Sequence, residues 1–384
     1  MKTEYSGLTM VKDYFSENRQ FIMKTLEELA LIPAPSFNEA KRAGYCIGWL
    51  RDAGIDTAFT DECGNVILSF ANEESSNNRI FMAHLDTVFP EETELEIKRD
   101  GNIWSCPGIG DDTANAVCLL MLVKYLWENA PKMLENCIFV WDVCEEGLGN
   151  LSGSRAVTER YGKCTDCLVS YDLYSRNVYN SSIGSIRYEV KVTTEGGHSY
   201  HDFGKENAIA AASRIISRLY GYVPSARTTY NVGVISGGTS VNSIAGECSF
   251  LWEFRSDDRT ELEKSDKFFR EIIAESGAEY RVIGERPCMG NPDRKKMDIL
   301  CRICADSIRD VTGKTPAMQA ASTDCNIPLS MDIPAVCTGL ICGGNAHRTD
   351  EWVDVGSMTD GCMIAYKILE KMKNGYSVQR QCDR

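Results

Sequence analysis

Residues 79–90, Arg-Ile-Phe-Met-Ala-His-Leu-Asp-Thr-Val-Phe-Pro, constrain this chain more than any other stretch. An apolar run over 80–83 passes into the polar pair His84 and Asp86 and closes at Pro90, a pattern that predicts a buried strand emptying into a loop. In open α/β sheets, ligands bind in the crevice outside the carboxyl ends of the strands, so a histidine at such an exit can reach a metal. Asp86, two residues on, is placed to accept the ring's second N–H, fixing the tautomer and raising the ring's basicity. Alone, His-x-Asp is more readily a solvated loop with an incidental histidine. The rest of the chain decides between the two.

The pattern recurs. Residues 137–143, rich in β-branched and aromatic side chains, empty into Cys144-Glu145-Glu146-Gly147, and residues 168–171 empty into Asp172. Residues 335–340 empty into a loop, Cys342-Gly343-Gly344-Asn345-Ala346-His347. A pair of carboxylates, Asp111-Asp112, precedes a helical pattern over 113–128 and is expected at that helix's N-terminus. Solvated loops rarely produce so many acids and imidazoles at the ends of apolar runs.

Between these runs the chain alternates helix and strand. One helix is expected over 11–31, ended by Pro33 and Pro35, and a second over 37–53 with Gly54 as its cap. Strands are expected over 66–70 and 80–83, with a polar turn between them. From about Ser185 the pattern changes to a half-exposed strand (187–193), an amphipathic helix (207–219), strands (229–236 and 247–255) and a helix (260–276). That order suggests an α+β insert of ferredoxin-like type. The expected fold class is therefore α/β: residues 1–184 and 297–384 form a mixed, mostly parallel sheet flanked by helices, and residues 185–296 form a second domain set inside the first.

Composition narrows the function. With 41 basic against 55 acidic residues and a net charge of -14, the chain lacks the basic footprint that nucleic acid or an anionic membrane requires. The first ten residues hold no apolar export segment, and the longest apolar stretch (116–127) is interrupted by Lys124, so a cytoplasmic protein is expected. With no export segment to suggest a disulfide framework, most of the 17 cysteines are then reduced packing residues; Cys301 and Cys304 have Cys-x-x-Cys spacing but sit in a helical pattern.

His84, Asp111, Glu146, Asp172 and His347 supply two imidazoles and three carboxylates, too many for one tetrahedral zinc but suited to two metals sharing a bridging carboxylate. Glu145, beside a ligand, is then a natural general base for water. These motifs resemble those of the M20 family of dinuclear zinc peptidases and deacylases, over nearly the whole length and in order. His84-Leu85-Asp86-Thr87 resembles the family's His-x-Asp-Thr, Gly110-Asp111-Asp112 its bridging motif, and Glu145-Glu146-Gly147 its Glu-Glu-Gly. Asp172 matches the terminal carboxylate, and Gly343-Gly344 through His347 to Glu351 the closing motif.

The resemblance implies that Asp111 bridges two zincs, with His84 and Asp172 on the first, Glu146 and His347 on the second, Asp86 orienting His84 and Glu145 acting as base. It also implies a cis Asp111-Asp112 peptide. Cobalt or manganese would suit the same ligands. In the insert, Gly196-Gly197-His198-Ser199 resembles the lid motif whose histidine reaches the partner subunit's site and stabilises the oxyanion, with His201 as an alternative. Gly237-Gly238-Thr239-Ser240-Val241-Asn242 resembles the loop supplying a substrate-binding asparagine, Asn242. Arg255 matches an arginine that meets the substrate carboxylate, or else forms a lid salt bridge. Thr323-Asp324-Cys325-Asn326 resembles a further active-site loop.

Two departures stand out: Thr113-Ala114 follows the bridging motif where Lys-Gly is usual, and Tyr200 is bulky where relatives often carry a small residue. The implied function is metal-dependent hydrolysis of an amide bond by a homodimer joined through the lid. The lid motifs favour an aminotripeptidase-like activity on small peptides. An N-acyl amino acid deacylase or a carboxypeptidase G-like enzyme is the alternative, and a catalytically silent lid-dimer interaction protein the remote one.

Overall fold

The apolar runs that end in acids or histidines become four adjacent parallel strands, in the spatial order Cys137–Asp142, Asn78–His84, Thr165–Ser170 and Ala335–Thr338. They are buried almost throughout, which is why each reads as a continuous run rather than an alternation. In this computed structural model, which describes residues 2–175, 177–225 and 227–375, they form the heart of an eight-stranded sheet. Phe59–Thr60 and Val66–Ser69 extend it on one side, Asn177–Ser182 and Ala317–Ala321 on the other, with Val66–Ser69 and Asn177–Ser182 antiparallel to their inner neighbours. The sheet is therefore mixed and mostly parallel. All four central strands point the same way, so their carboxyl ends gather along one edge.

Helices flank this sheet. Asn115–Asn129 is buried over most of its length and packs on Asn78–His84 and on the helix Met358–Gly375; Arg294–Thr312 packs on Ala335–Thr338. The single N-terminal helix expected over 11–31 is two helices, Lys2–Glu17 and Arg19–Ala30. They meet at Asn18, whose N–H and Nδ2 both donate to the Tyr14 carbonyl, at 3.0 and 2.8 Å. The next helix, Ala40–Asp52, starts later than the apolar pattern because Phe37 is left-handed (φ 73°) and its N–H is taken by Glu39 Oε1. Gly54, at φ 82°, ends it as a left-handed residue.

A small antiparallel sheet, ordered Gly343–Gly344, Trp352–Asp354, Ile103–Ser105 and Lys98–Asp100, ties the segment before Asp111 to the loop that carries His347. Its approach is close: a Cβ on Gly343 would lie 2.5 Å from the Tyr174 ring and 2.7 Å from the Trp352 carbonyl.

The chain divides into two compact units, Met1–Ser181 with Gly290–Arg384, and Ser182–Met289. The second has its own core. Strands Thr228–Gly237, Glu247–Ser256, Gly184–Thr193 and Glu279–Arg286 lie in that spatial order, all antiparallel, and with helices Ala208–Leu219 and Arg259–Ser276 they give the ferredoxin-like order. Tyr188, Val190, Phe250, Trp252 and Phe254 alternate inward beneath the helices, and Phe269 stacks on Tyr188 with ring centroids 3.8 Å apart. Asn207 and Asp258 cap the two helices through their side-chain oxygens. Among the described residues the cysteines are free thiols, most of them buried, and no helix is long and apolar enough to cross a membrane.

Candidate metal centre

Each central strand delivers its last side chains to the same edge of the sheet. His84 ends its strand and is 1% exposed. Its Nε2 lies 3.1 Å from Asp111 Oδ1 and 3.8 Å from Asp172 Oδ1. His347 Nε2 lies 2.8 Å from Glu146 Oε1 and 3.3 Å from Asp111 Oδ2. The two oxygens of Asp111 thus face different histidines, and each histidine has a further carboxylate of its own. His84, Glu145 and Glu146 also place ligand atoms within 4.8 Å of one another.

The turns that hold these groups are built by side chains bonding to backbone. His84 Nδ1 lies 3.0 Å from the Asp86 carbonyl and 3.5 Å from its carboxylate, which leaves Nε2 to face Asp111 and Asp172. The Asp86 carboxylate is occupied elsewhere: Oδ1 accepts from Glu145 N, and Oδ2 from Glu146 N and Ser36 Oγ. Asp86 therefore sets the turn that presents both glutamates. Glu351 does the same for Asp111, accepting from the N–H groups of Gly108, Gly110 and Asp111 at 2.8, 3.1 and 2.7 Å. The Asp111–Asp112 peptide is cis and lies in an irregular turn, Ile109–Ala114, ahead of the regular helix. Glu39 accepts from Cys144 N and Sγ, bracing the turn before Glu145 where Cys144 is left-handed.

Sequence reasoning did not single out Ser36, Glu39, Arg42 or Asn115. Arg42 is buried and donates to the Leu85 carbonyl and to Thr113 Oγ1, at 3.0 and 2.9 Å. A guanidinium thus stands against Thr113, the position where a lysine is usual.

The electrostatics are those of a site that wants positive charge. Burial works against a charged His84, yet the hydrogen bonds to Asp111, Asp172 and Asp86 hold its pKa well above the ordinary value. Bonds to Asp111 and Glu146 raise His347 to about 11. Burial, then the charge of Asp111, pushes Asp172 up to about 6. Burial would also raise Asp111, but His347 and His84 keep it well below the usual carboxylate range. Asp172 Oδ1 is buried without a hydrogen bond, an acceptor that a cation would satisfy. A donor set of imidazole nitrogen and carboxylate oxygen, with no thiolate, suits zinc, cobalt or manganese. Asp324 of the later loop is fully buried near Asp142, the register partner of His84; burial raises Asp142 to about 7 and Asp324 well above its ordinary value.

In the second unit, Gly197–His198 pairs with Ser243–Ile244, which brings the His198 and Asn242 loops side by side; Ser199 N donates to the Asn242 carbonyl at 3.0 Å. His198 Nδ1 accepts from Tyr200 N and His201 N, so the ring's proton belongs on the outward Nε2. His201 is exposed, with its ring 4.7 Å from that of His198. Arg255 is not with them. It sits at the other end of the strand Glu247–Ser256, 10 residues or about 30 Å long, where Nε bonds Glu253 at 3.0 Å.

The family model for peptidase family M20/M25/M40 matches residues 80–371. The chain belongs to that family. It is similar to a succinyl-diaminopimelate desuccinylase of Nitrosomonas eutropha, 28% identical over 222 residues, 54% of this chain and 55% of that protein, so the match spans about half of each. Among solved structures it is similar to a tripeptidase from Staphylococcus aureus (TM-score 0.73, 19% identity, 93% of this chain and 99% of that one). A family M20 metallo-carboxypeptidase from Sulfolobus solfataricus aligns with a TM-score of 0.75 at 14% identity, over 91% of this chain and 98% of that one. At such identities these structures speak for the fold.

Proposed function

We propose that the chain is a two-cation hydrolase of amide bonds in small peptides, nearest in kind to an aminotripeptidase. One observation carries the reading: the two oxygens of Asp111 face two different histidines, each with its own second carboxylate. His84, Asp172 and Asp111 would hold one cation, and Glu146, His347 and Asp111 the other. Bound there, zinc supplies Lewis acidity, polarising the scissile carbonyl and making water acidic near neutrality.

The chain's own residues do the rest. Glu145, held in place through Asp86, takes the proton of the attacking water and returns it to the leaving amine. Asp86 orients His84. His198, with its proton on Nε2, donates to the oxyanion. Asn242 binds the substrate beside it, and Arg255 meets the substrate carboxylate.

Because Arg255 stands at the far end of its strand from His198 and Asn242, one small substrate that uses all three draws them from two copies. That supports a homodimer joined through the Ser182–Met289 unit, which then serves as lid and dimerisation domain.

The second reading is an N-acyl amino acid deacylase or carboxypeptidase, favoured by the desuccinylase match. A silent interaction protein fits poorly, since Glu145 and all five ligands are retained. Zinc-loaded protein assayed on tripeptides, N-acetyl and N-succinyl amino acids, and carboxypeptidase substrates separates these. Release of the N-terminal residue from tripeptides is expected; acyl release without tripeptide cleavage would replace the first reading by the second.

A further inference from the structure

The helix Asn115–Asn129 opens on a side chain that the mechanism above leaves idle. Asn115 is fully buried, and its amide spends both donors and its acceptor. Nδ2 donates to Asp112 Oδ1 at 2.6 Å and to the Leu173 carbonyl at 3.0 Å, while Oδ1 accepts from Leu340 N at 2.8 Å. The orientation of the amide is unambiguous, because a backbone N–H must meet the oxygen and a carboxylate and a carbonyl must meet the NH2.

Those partners belong to three strand exits. Asp112 Oδ2 accepts from His84 N at 3.0 Å, so Asn115 reaches His84 through Asp112. Leu173 directly follows Asp172. Leu340 follows the strand Ala335–Thr338, whose Thr338 carbonyl receives Asp172 N at 3.4 Å.

Asn115 also bears on which aspartate can bind metal. His84, Asp112 and Asp172 converge within 4.8 Å, so Asp112 is a potential ligand by position. Its two oxygens are committed, one to His84 N and one to Asn115, whereas Asp111 turns both of its oxygens towards histidines. The Glu146 turn is held by Asp86, and the His347 loop, although it runs on from Leu340, has its own ties: Cys342 N donates to Ser357 Oγ and Asn345 Nδ2 to Asp350.

We infer that Asn115 is the positioning residue of one cation site, that of His84 and Asp172: it holds Asp112 off the metal and sets the spacing of the two strand exits. This inference rests on the two-cation reading. Its mark is selectivity, since a residue that merely supports the fold would weaken both sites alike.

The test is zinc titration against a chromophoric chelator, with circular dichroism to confirm the fold. In a His347→Ala background, which isolates the His84 site, adding Asn115→Ala is expected to weaken zinc binding about 10- to 100-fold. In a His84→Ala background the same change is expected to leave the remaining zinc unaffected. Asn115→Asp, of equal size but with its donors replaced by an acceptor, is expected to act more strongly; should it not fold, Asn115→Ser takes its place. In the otherwise intact chain the effect reads as a two-step titration in which only one step moves. Equal weakening in both backgrounds, or none in either, overturns the inference. A wild-type chain that takes up fewer than two zincs overturns the two-cation reading instead.

Discussion

At the carboxyl edge of the large sheet, the buried carboxylates of Asp86, Asp111, Glu146 and Asp172 crowd around two imidazoles, His84 buried and His347 half-exposed, and burial pushes Asp172 up to about 6. In the inserted unit the acids have their own partners: Lys205 lies 2.7 Å from Glu195 and 3.1 Å from Asp202, Arg270 lies 2.8 Å from Asp266, and the buried Glu261 accepts from Ser225 and Tyr222. Neutral hydroxyls, amides and mobile bases satisfy the second set without help. The first set has two imidazoles to four carboxylates, and because removing charges from water costs several kcal/mol unless they are paired, bound cations would make up the shortfall. The difference divides labour: one unit gathers a set of groups that could hold metal, and the other has an apolar core of its own.

Chelation should break the comparison most visibly. Removing the cations is expected to abolish turnover and to lower the melting of the Met1–Ser181 with Gly290–Arg384 unit, leaving the Ser182–Met289 unit unchanged. A cation at a thousand times its dissociation constant contributes about 4 kcal/mol per site. Calorimetry with and without chelator reads this, and equal shifts of both units would mean that the acids are not where the stability lies. Glu145→Gln separates chemistry from binding. Loss of the base is expected to cut kcat about 1,000-fold or more while zinc content stays at two per chain. Wild-type turnover in that variant would remove Glu145 from the reaction.

The inserted unit has its own chemical test. His198→Ala is expected to lower kcat by about 100- to 1,000-fold, the usual cost of an oxyanion donor, with zinc affinity untouched. Mixing Glu145→Gln with His198→Ala protein tests whether the two units cooperate between copies. Mixed dimers with a donor in trans contain one intact site, so activity should return on exchange of subunits; none returns if each copy supplies its own His198.

How much of this could be read in the sequence depends on the kind of contact. Strand exits were legible because a parallel strand buried on both faces leaves an uninterrupted apolar run, so His84, Glu146 and Asp172 stand out at its end. The ferredoxin-like order was legible for the complementary reason: Arg187, Glu189 and Lys191 alternate with Tyr188, Val190 and Val192 on a strand with one buried face. What was hidden is the bracing. Glu351 binds three N–H groups around Asp111, and Asp86 binds those of Glu145 and Glu146; every residue but proline has such an N–H, so no residue type marks the partner. Asn115 and Arg42 were hidden likewise, since both bond to backbone carbonyls whose place is known only once the chain is folded. The break at Asn18 is hidden because apolar spacing runs through it and the backbone bonds to Tyr14 and from Ile22 continue across it.

The smallest expected effect is an acid response confined to the inserted unit. Glu261 is 2% exposed, and hydrogen bonds from Ser225 and then Tyr222 pull its carboxyl from 4.5 down to about 2. In the unfolded chain the group returns to its ordinary value, so as the pH falls the unfolded state takes up the proton first. The contribution of Glu261 is therefore complete above pH 4.5 and is lost progressively towards pH 2. Ser225 lies before the strand Thr228–Gly237 and Glu261 lies in the first turn of Arg259–Ser276, so what loosens is the junction between that strand and that helix. Glu261→Gln keeps the size and one acceptor but has no proton to gain, and is expected to flatten the dependence of this unit's melting on pH within that window. An unchanged slope would assign the acid response to other carboxylates of the unit, such as Asp202, which the His198 N–H and Lys205 hold below its ordinary value, and would show that its surface ion pairs outweigh the bonds to Glu261.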